Sequence, residues 1–216
     1  MAGYYKIQQG DHLSSVADAF GFSDYKSIWN HGSNAGLKEK RQDPNVLLPG
    51  DLLFIPDRQV RQEQRSTDTR HKFVSHAPKL MLRLVLEDLF ERPIANAKCD
   101  LLIDGQVVQV TTDGTGKIER RIKPDTHAAL LIIKDPQTPF KDEEIPIKIG
   151  HLDPVDEVSG QVARLNNLGY FAGDAQVSDA DQFKSAVEEF QCDFGLKVDG
   201  DCGKGTQAKL KEVHGC

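Results

Sequence analysis

The chain has 216 residues, 38% hydrophobic and 28% charged, and a formal net charge of −6, a balance that suits two or three small domains rather than one large core. No apolar run approaches the roughly 20 residues that span a bilayer, which excludes membrane insertion, and the acid excess sits in residues 151–216, which opposes nucleic-acid and anionic-lipid partners. Cys99, Cys192, Cys202 and Cys216 are too sparse for a zinc ribbon or a disulfide framework; they read as free or buried thiols, with a Cys192–Cys202 pair as the alternative.

From the N-terminus, Tyr5-Lys6-Ile7 predicts a strand, and Leu13, Val16, Ala17 and Phe20 recur at helical spacing with Asp11 as N-cap and Gly21 as the stop. Ser23-Asp24 introduces a second short helix carrying Tyr25, Ile28 and Trp29, and Leu52–Ile55 is a compact strand halted by Pro56. Tyr5, Phe20, Trp29 and Phe54 are expected in the core of this small unit, Trp29 as core before ligand. Polar residues 59–78 lack apolar periodicity and read as a linker.

Strand signals follow at Leu80–Leu86, Ala97–Ile103, Gln106–Val110, Gly116–Arg121, Ala128–Ile133 and Ile145–Ile149, with Asp104-Gly105 as a tight hairpin and Thr112–Gly116 as another turn. A small sandwich over residues 79–150 results. Beyond the junction Gly150–Pro154, three helices are predicted in residues 151–216: Val158, Val162, Leu165 and Leu168 ended by Gly169; Phe183, Val187 and Phe190 ended near Gly195; and Thr206, Leu210 and Val213.

These residues carry three resemblances. The order and spacing of Tyr5-Lys6-Ile7, Gly10-Asp11-His12-Leu13, Ile28-Trp29-Asn30, Asp43-Pro44 and Leu48-Pro49-Gly50-Asp51-Leu52 over residues 1–58 resemble a LysM domain (βααβ), in the longer-loop form found near phage-tail and contractile-injection genes. The resemblance implies affinity for N-acetylglucosamine-containing glycans such as peptidoglycan. It places the binding groove between Gly10, Asp11, His12, Leu13 and Ser14 on one side and Asn45, Val46, Leu47, Pro49 and Gly50 on the other. Pro93-Ile94, Leu101–Ile103 and Thr112–Gly116 resemble a transthyretin-like β-domain, which implies a non-catalytic spacer or a docking surface for a secretion spike or tail protein. Arg164–Tyr170, Ala186–Gln191, Gly195–Gly200 and Thr206–Leu210 resemble the three-helix peptidoglycan-binding module appended to wall hydrolases. That resemblance implies ligand contacts around Leu168, Gly169, Tyr170, Phe190, Gln191, Asp199, Gly200 and Thr206, with Ala175–Asp181 replacing the family's glycine-rich segment. The expected architecture is thus multidomain α+β.

Catalytic chemistry is not visible in the sequence. His71, His76, His127 and His151 fall in linkers, turns or a junction without HExxH spacing and read as scattered exposed histidines. Val213-His214-Gly215-Cys216 resembles an L,D-transpeptidase nucleophile motif but finishes a helical module. Gly203–Thr206 reads as a helix start rather than a phosphate loop, Asp199-Gly200-Asp201 as a turn rather than a calcium loop, and Glu119, Glu143 and Glu144 as surface charge. No catalytic residue, cofactor or metal is expected. The first motif begins within a few residues of Met1, leaving no room for a secretory signal. The expectation is a cytoplasmically made, peptidoglycan-directed adaptor or cargo protein carried to the periplasm or beyond by a contractile injection machine of the type VI kind. A structural tail or baseplate protein and a wall-hydrolase accessory are the alternatives.

Overall fold

The computed structural model describes residues 2–59, 64–72, 80–88, 90, 92–174 and 180–215. Residues 60–63 and 73–78 of the predicted linker, His76 among them, together with Ala175–Asp179 and Cys216, therefore lie outside the described residues. The described chain is a mixed α+β structure with three separate hydrophobic cores.

In the N-terminal unit, β1 (Gly3–Lys6) and β2 (Leu52–Ile55) pair antiparallel with Tyr4 opposite Phe54 and Tyr5 opposite Leu53. Between them come α1 (Leu13–Ala19), α2 (Lys26–Trp29), a 3-10 turn (Gly32–Asn34) and α3 (Ala35–Arg41). Ile7, Leu13, Val16, Ile28, Trp29, Leu53 and Ile55 form the core, with Tyr5 packed against it. Phe20 and Phe54 depart from expectation. Successive strand residues face opposite ways, so burying Leu53 and Ile55 turns Phe54 outward, where it meets Tyr4 edge-on and stacks on His31. Phe20 is the C-cap of α1 and is 41% exposed, its ring edge-on to Tyr5.

The N-cap of α1 is also a correction. His12, not Asp11, caps the helix: its Nδ1 accepts from the Ser15 amide while the Ser15 hydroxyl accepts from the His12 amide. Asp11 is drawn away because its carboxylate accepts from the Tyr5 hydroxyl and the Gln8 amide. Asn34 is buried and guards the free edge of β2, donating to the Phe54 carbonyl and accepting from the Phe54 amide, both at 2.8 Å.

The helix α3 ends abruptly. Gln42 sits at φ 61° and ψ −40°, and the Asp43 amide reaches back to the Arg41 carbonyl at 2.6 Å, closing a γ-turn. A side chain in this region of backbone space is strained by about 1–3 kcal/mol, against roughly 0.5–1 kcal/mol of extra chain entropy for glycine. Gln42→Gly is accordingly expected to raise stability by about 1 kcal/mol, read as a higher urea midpoint at unchanged slope; a lower midpoint would show the turn to be relaxed.

The central unit has two sheets around one core of Leu82, Leu86, Cys99, Leu101, Ile103, Ile118, Ile122, Ala129, Leu131 and Ile133. One pairs β3 (Leu80–Val85) with β6 (Lys117–Ile122); the other runs in the order β5 (Gln106–Thr111), β4 (Lys98–Ile103), β7 (Ala128–Ile133), β8 (Glu144–Lys148). Asp104 and Gly105 both take positive φ, 50° and 73°, in the two-residue turn joining β4 to β5. Thr112 is buried and ties the turns together, donating to the Ile94 carbonyl and accepting from the Ala97 amide.

Three helices close the chain: α4 (Val158–Asn167), α5 (Ala180–Asp193) and α6 (Lys204–His214). Their apolar stripes meet in Val162, Leu165, Tyr170, Val187, Phe190 and Leu210. Val158 has helical spacing but is 58% exposed, since it opens the first turn. After α4 and α5 the stops are Gly169 and Gly195, at φ 89° and 63°, where the next amides, Tyr170 and Leu196, bond back to the Leu165 and Gln191 carbonyls.

Candidate functional site

In the C-terminal unit the signature residues build a loop rather than line an open pocket. Gln191 is 1% exposed and faces the α5–α6 connection. Its amide nitrogen reaches the Asp199 carboxylate, the Asp201 carbonyl and the Thr206 hydroxyl at 2.9–3.0 Å; its oxygen accepts from the Asp199 and Gly200 amides. Gly200, at φ 70°, makes the turn that brings both amides to one oxygen. Hydrogen bonds from the Asp201 amide, Gln191 and Lys197 hold the Asp199 carboxyl below its ordinary range. Phe190 lies in the core against Tyr170, whose hydroxyl donates to Asp193. Of the predicted contact residues, Phe190, Gln191, Tyr170 and Thr206 are thus buried, Leu168 and Gly200 half-buried, and Gly169 and Asp199 exposed.

A buried cation anchors α4. Arg164 is 1% exposed and donates to the Asp153 and Gly160 carbonyls; Gly160 lies so close to Pro154 that a β-carbon would collide with its carbonyl. His214 at the end of α6 contacts Asn167 at 3.0 Å, and burial, with the Arg164 charge, lowers it to about 4. Cys192 is exposed and Cys202 buried, each a free thiol, and burial pushes Cys202 up to about 11. The two therefore do not form the pair considered from the sequence, because Cys202 turns into the three-helix core.

In the N-terminal unit the two predicted groove loops lie side by side, with the Leu13 amide donating to the Pro44 carbonyl. Their exposure is uneven. Gly10, His12, Leu13, Ser14, Val46 and Leu47 are buried and Asp11 half-buried, while Asn45, Pro49 and Gly50 are exposed. A buried ion pair supports the second loop: the Arg41 guanidinium, fully buried, donates to both oxygens of Asp51 at 2.8 and 3.0 Å, and Asp51 also accepts from the Leu48 amide. Burial works to raise the Asp51 carboxyl, but Arg41 and that amide outweigh it and hold it below 3.8.

The first loop is covered by the rest of the chain. Gly150 approaches the Gly10 carbonyl and the His12 ring so closely that a β-carbon there would collide, and the His151 Nε2 lies 3.2 Å from where a Gly10 β-carbon would stand. His127 Nδ1 is within 3.9 Å of the same point. A crevice of about 450 Å³ runs between Tyr5, Asp11, Ser15 and Phe20 on one side and Asp125 and His127 on the other. His127 and His151, expected as scattered, thus converge on the Gly10–His12 turn, because the β6–β7 connection and the junction segment both dock against the start of α1. Asp156, in the same segment, comes within 3.7 Å of Arg41.

Among the described residues no group of three His, Cys, Asp or Glu side chains is placed to hold a metal ion, and no helix is long and apolar enough to cross a membrane. Glu119 pairs with Arg83 and Lys117 on the surface. Gly203 is the N-cap of α6. No curated protein and no solved structure matches the chain. Residues 156–210, which contain α4, α5, α6 and the Gln191-centred loop, match the model of the family described as "Putative peptidoglycan binding domain", and the C-terminal unit is accordingly a peptidoglycan-binding domain of that family.

Proposed function

We propose that this protein is a non-catalytic peptidoglycan-directed adaptor or cargo protein, in which a LysM-like unit and the C-terminal domain flank a transthyretin-like docking domain. The observation that carries the reading is the family match over residues 156–210 together with an intact three-helix core there. Two wall-directed units on one chain would raise avidity through effective concentration even where each binds weakly. Delivery by a contractile injection machine fits a LysM-like unit of the long-loop kind, and the β-domain would then meet a spike or tail protein.

One observation favours a second reading, in which the LysM-like unit serves protein contacts. Its first groove loop already packs on protein, at Gly150 and His151. Sedimentation of the whole chain with insoluble sacculi and, separately, with chitin separates the two. Retention on sacculi above a control protein supports wall binding, and added retention on chitin assigns a share to the N-terminal unit. No retention on either, with co-purification of spike or tail components, favours the protein-contact reading.

A further inference from the structure

We infer that the junction of His12, His127, His151 and Gly150 is an acid-opened latch that holds the N-terminal unit against the rest of the chain and keeps the Gly10–Ser14 loop covered. The inference stands on the role His12 must play in the closed form. Its Nδ1 accepts the Ser15 amide that opens α1, so this nitrogen carries no proton and the ring is neutral with the proton on Nε2. That Nε2 is itself buried and has no hydrogen-bond partner. The ring is 3% exposed. A second proton would fall on Nδ1, set two donors against each other at the helix start, and leave a cation in a site without an acceptor.

The groups facing His12 act in both directions. Burial opposes charge on the ring, His127 on the β6–β7 connection opposes it further, and Asp11 favours the charge without offsetting them, so the ring titrates below the ordinary 6.5. His151 lies on the junction segment over Gly10, and Asp125 lines the crevice between the units. Ser15 is the one polar side chain of α1 bonded to the ring's own residue. With the units apart, the ring meets water and returns toward 6.5, so the open form takes up the proton first. Closure is therefore favoured at neutral pH. It weakens as pH falls below 6.5, by up to about tenfold per pH unit for one proton, until the lowered value of the closed form is reached. The consequence for wall binding rests on the proposed LysM-like reading; the latch itself does not.

Hydrogen–deuterium exchange of the whole chain, corrected for intrinsic rates, tests it at about pH 7.5 and about pH 5. Amides of residues 8–20 and 145–157 are expected to lose protection together on acidification, by about tenfold. His12→Asn keeps a capping oxygen but cannot titrate and should stay protected at both pH values. His127→Gln, which removes the opposing charge, should move the loss to lower pH, and Gly150→Val should remove protection already at neutral pH. Unchanged wild-type protection, or an acid response in His12→Asn equal to that of the wild type, overturns the latch. Opening without added sacculus binding leaves the latch standing and counts against the wall-binding role of the loop; sacculus binding without opening does the reverse.

Discussion

Replacing Gln191 by leucine is expected to destabilise the C-terminal domain by at least about 3 kcal/mol and to abolish whatever sacculus retention this domain provides. The side chain has five partners within one loop, and leucine of similar size satisfies none of them. The Asp199 and Gly200 amides lose their acceptor and the buried Thr206 hydroxyl loses a partner; each group left unsatisfied costs about 1–3 kcal/mol. A domain of this size has only about 3–9 kcal/mol in all, so much of the population should unfold locally, visible as protease cutting between α5 and α6. Gln191→Glu refines the point. It keeps the acceptor for the two amides but sets a second carboxylate against Asp199 and the Asp201 carbonyl, which raises its own pKa in the folded domain. A raised carboxyl stabilises below its unfolded value and loses that stability as pH rises, so this variant should recover on acidification whereas Gln191→Leu should not. Equal behaviour of the two variants with pH would remove the hydrogen-bond explanation.

The C-terminal helices and central strands follow from apolar periodicity, because each buries one stripe or one face against its own neighbours: Val162 and Leu165 on α4, Leu101 and Ile103 on β4. The helix α3 escaped that reading. Ala35–Arg41 offers a single apolar anchor, Leu37, and buries an arginine instead, so no stripe marks it. Asp11 has the commoner N-cap chemistry, yet Tyr5 claims its carboxylate, a pairing decided by the fold of the strand beside it. The junction was illegible for a stronger reason. His12, His127 and His151 are far apart in sequence, each unremarkable alone, and only the packing of three units brings them to one place. Gln191 and Thr206 stand out in the family signature as candidate contacts, but the sequence does not distinguish a residue that touches ligand from one that holds a loop in shape.

Arg41→Ala should cost about 3–5 kcal/mol in the N-terminal unit, comparable to its whole stability, because it strands the Asp51 carboxylate at 8% exposure. The pair itself need not be worth that much. Desolvating two charges offsets most of their attraction, and the loss on cutting one partner is chiefly the penalty of the orphan left behind. The combined Arg41→Met and Asp51→Asn variant separates these terms: the asparagine oxygen still accepts the Leu48 amide and no charge remains buried, so it should be clearly more stable than Arg41→Ala, with a coupling of about 1–3 kcal/mol in a double-mutant cycle. Acid supplies an independent check. The wild-type Asp51 is held below 3.8, so its contribution is present above that value and lost as pH falls through its lower folded value. In Arg41→Ala the unpartnered carboxyl is instead raised, so the gap between wild type and variant should begin to narrow above 3.8, as pH falls through the variant's raised value, and go on narrowing down to the wild type's lowered one. Asp156→Asn, at a 57% exposed partner 3.7 Å from Arg41, should change stability by less than about 1 kcal/mol. A large effect there, with a small one for Arg41→Ala, would shift the anchor of the second groove loop from Asp51 to the junction segment.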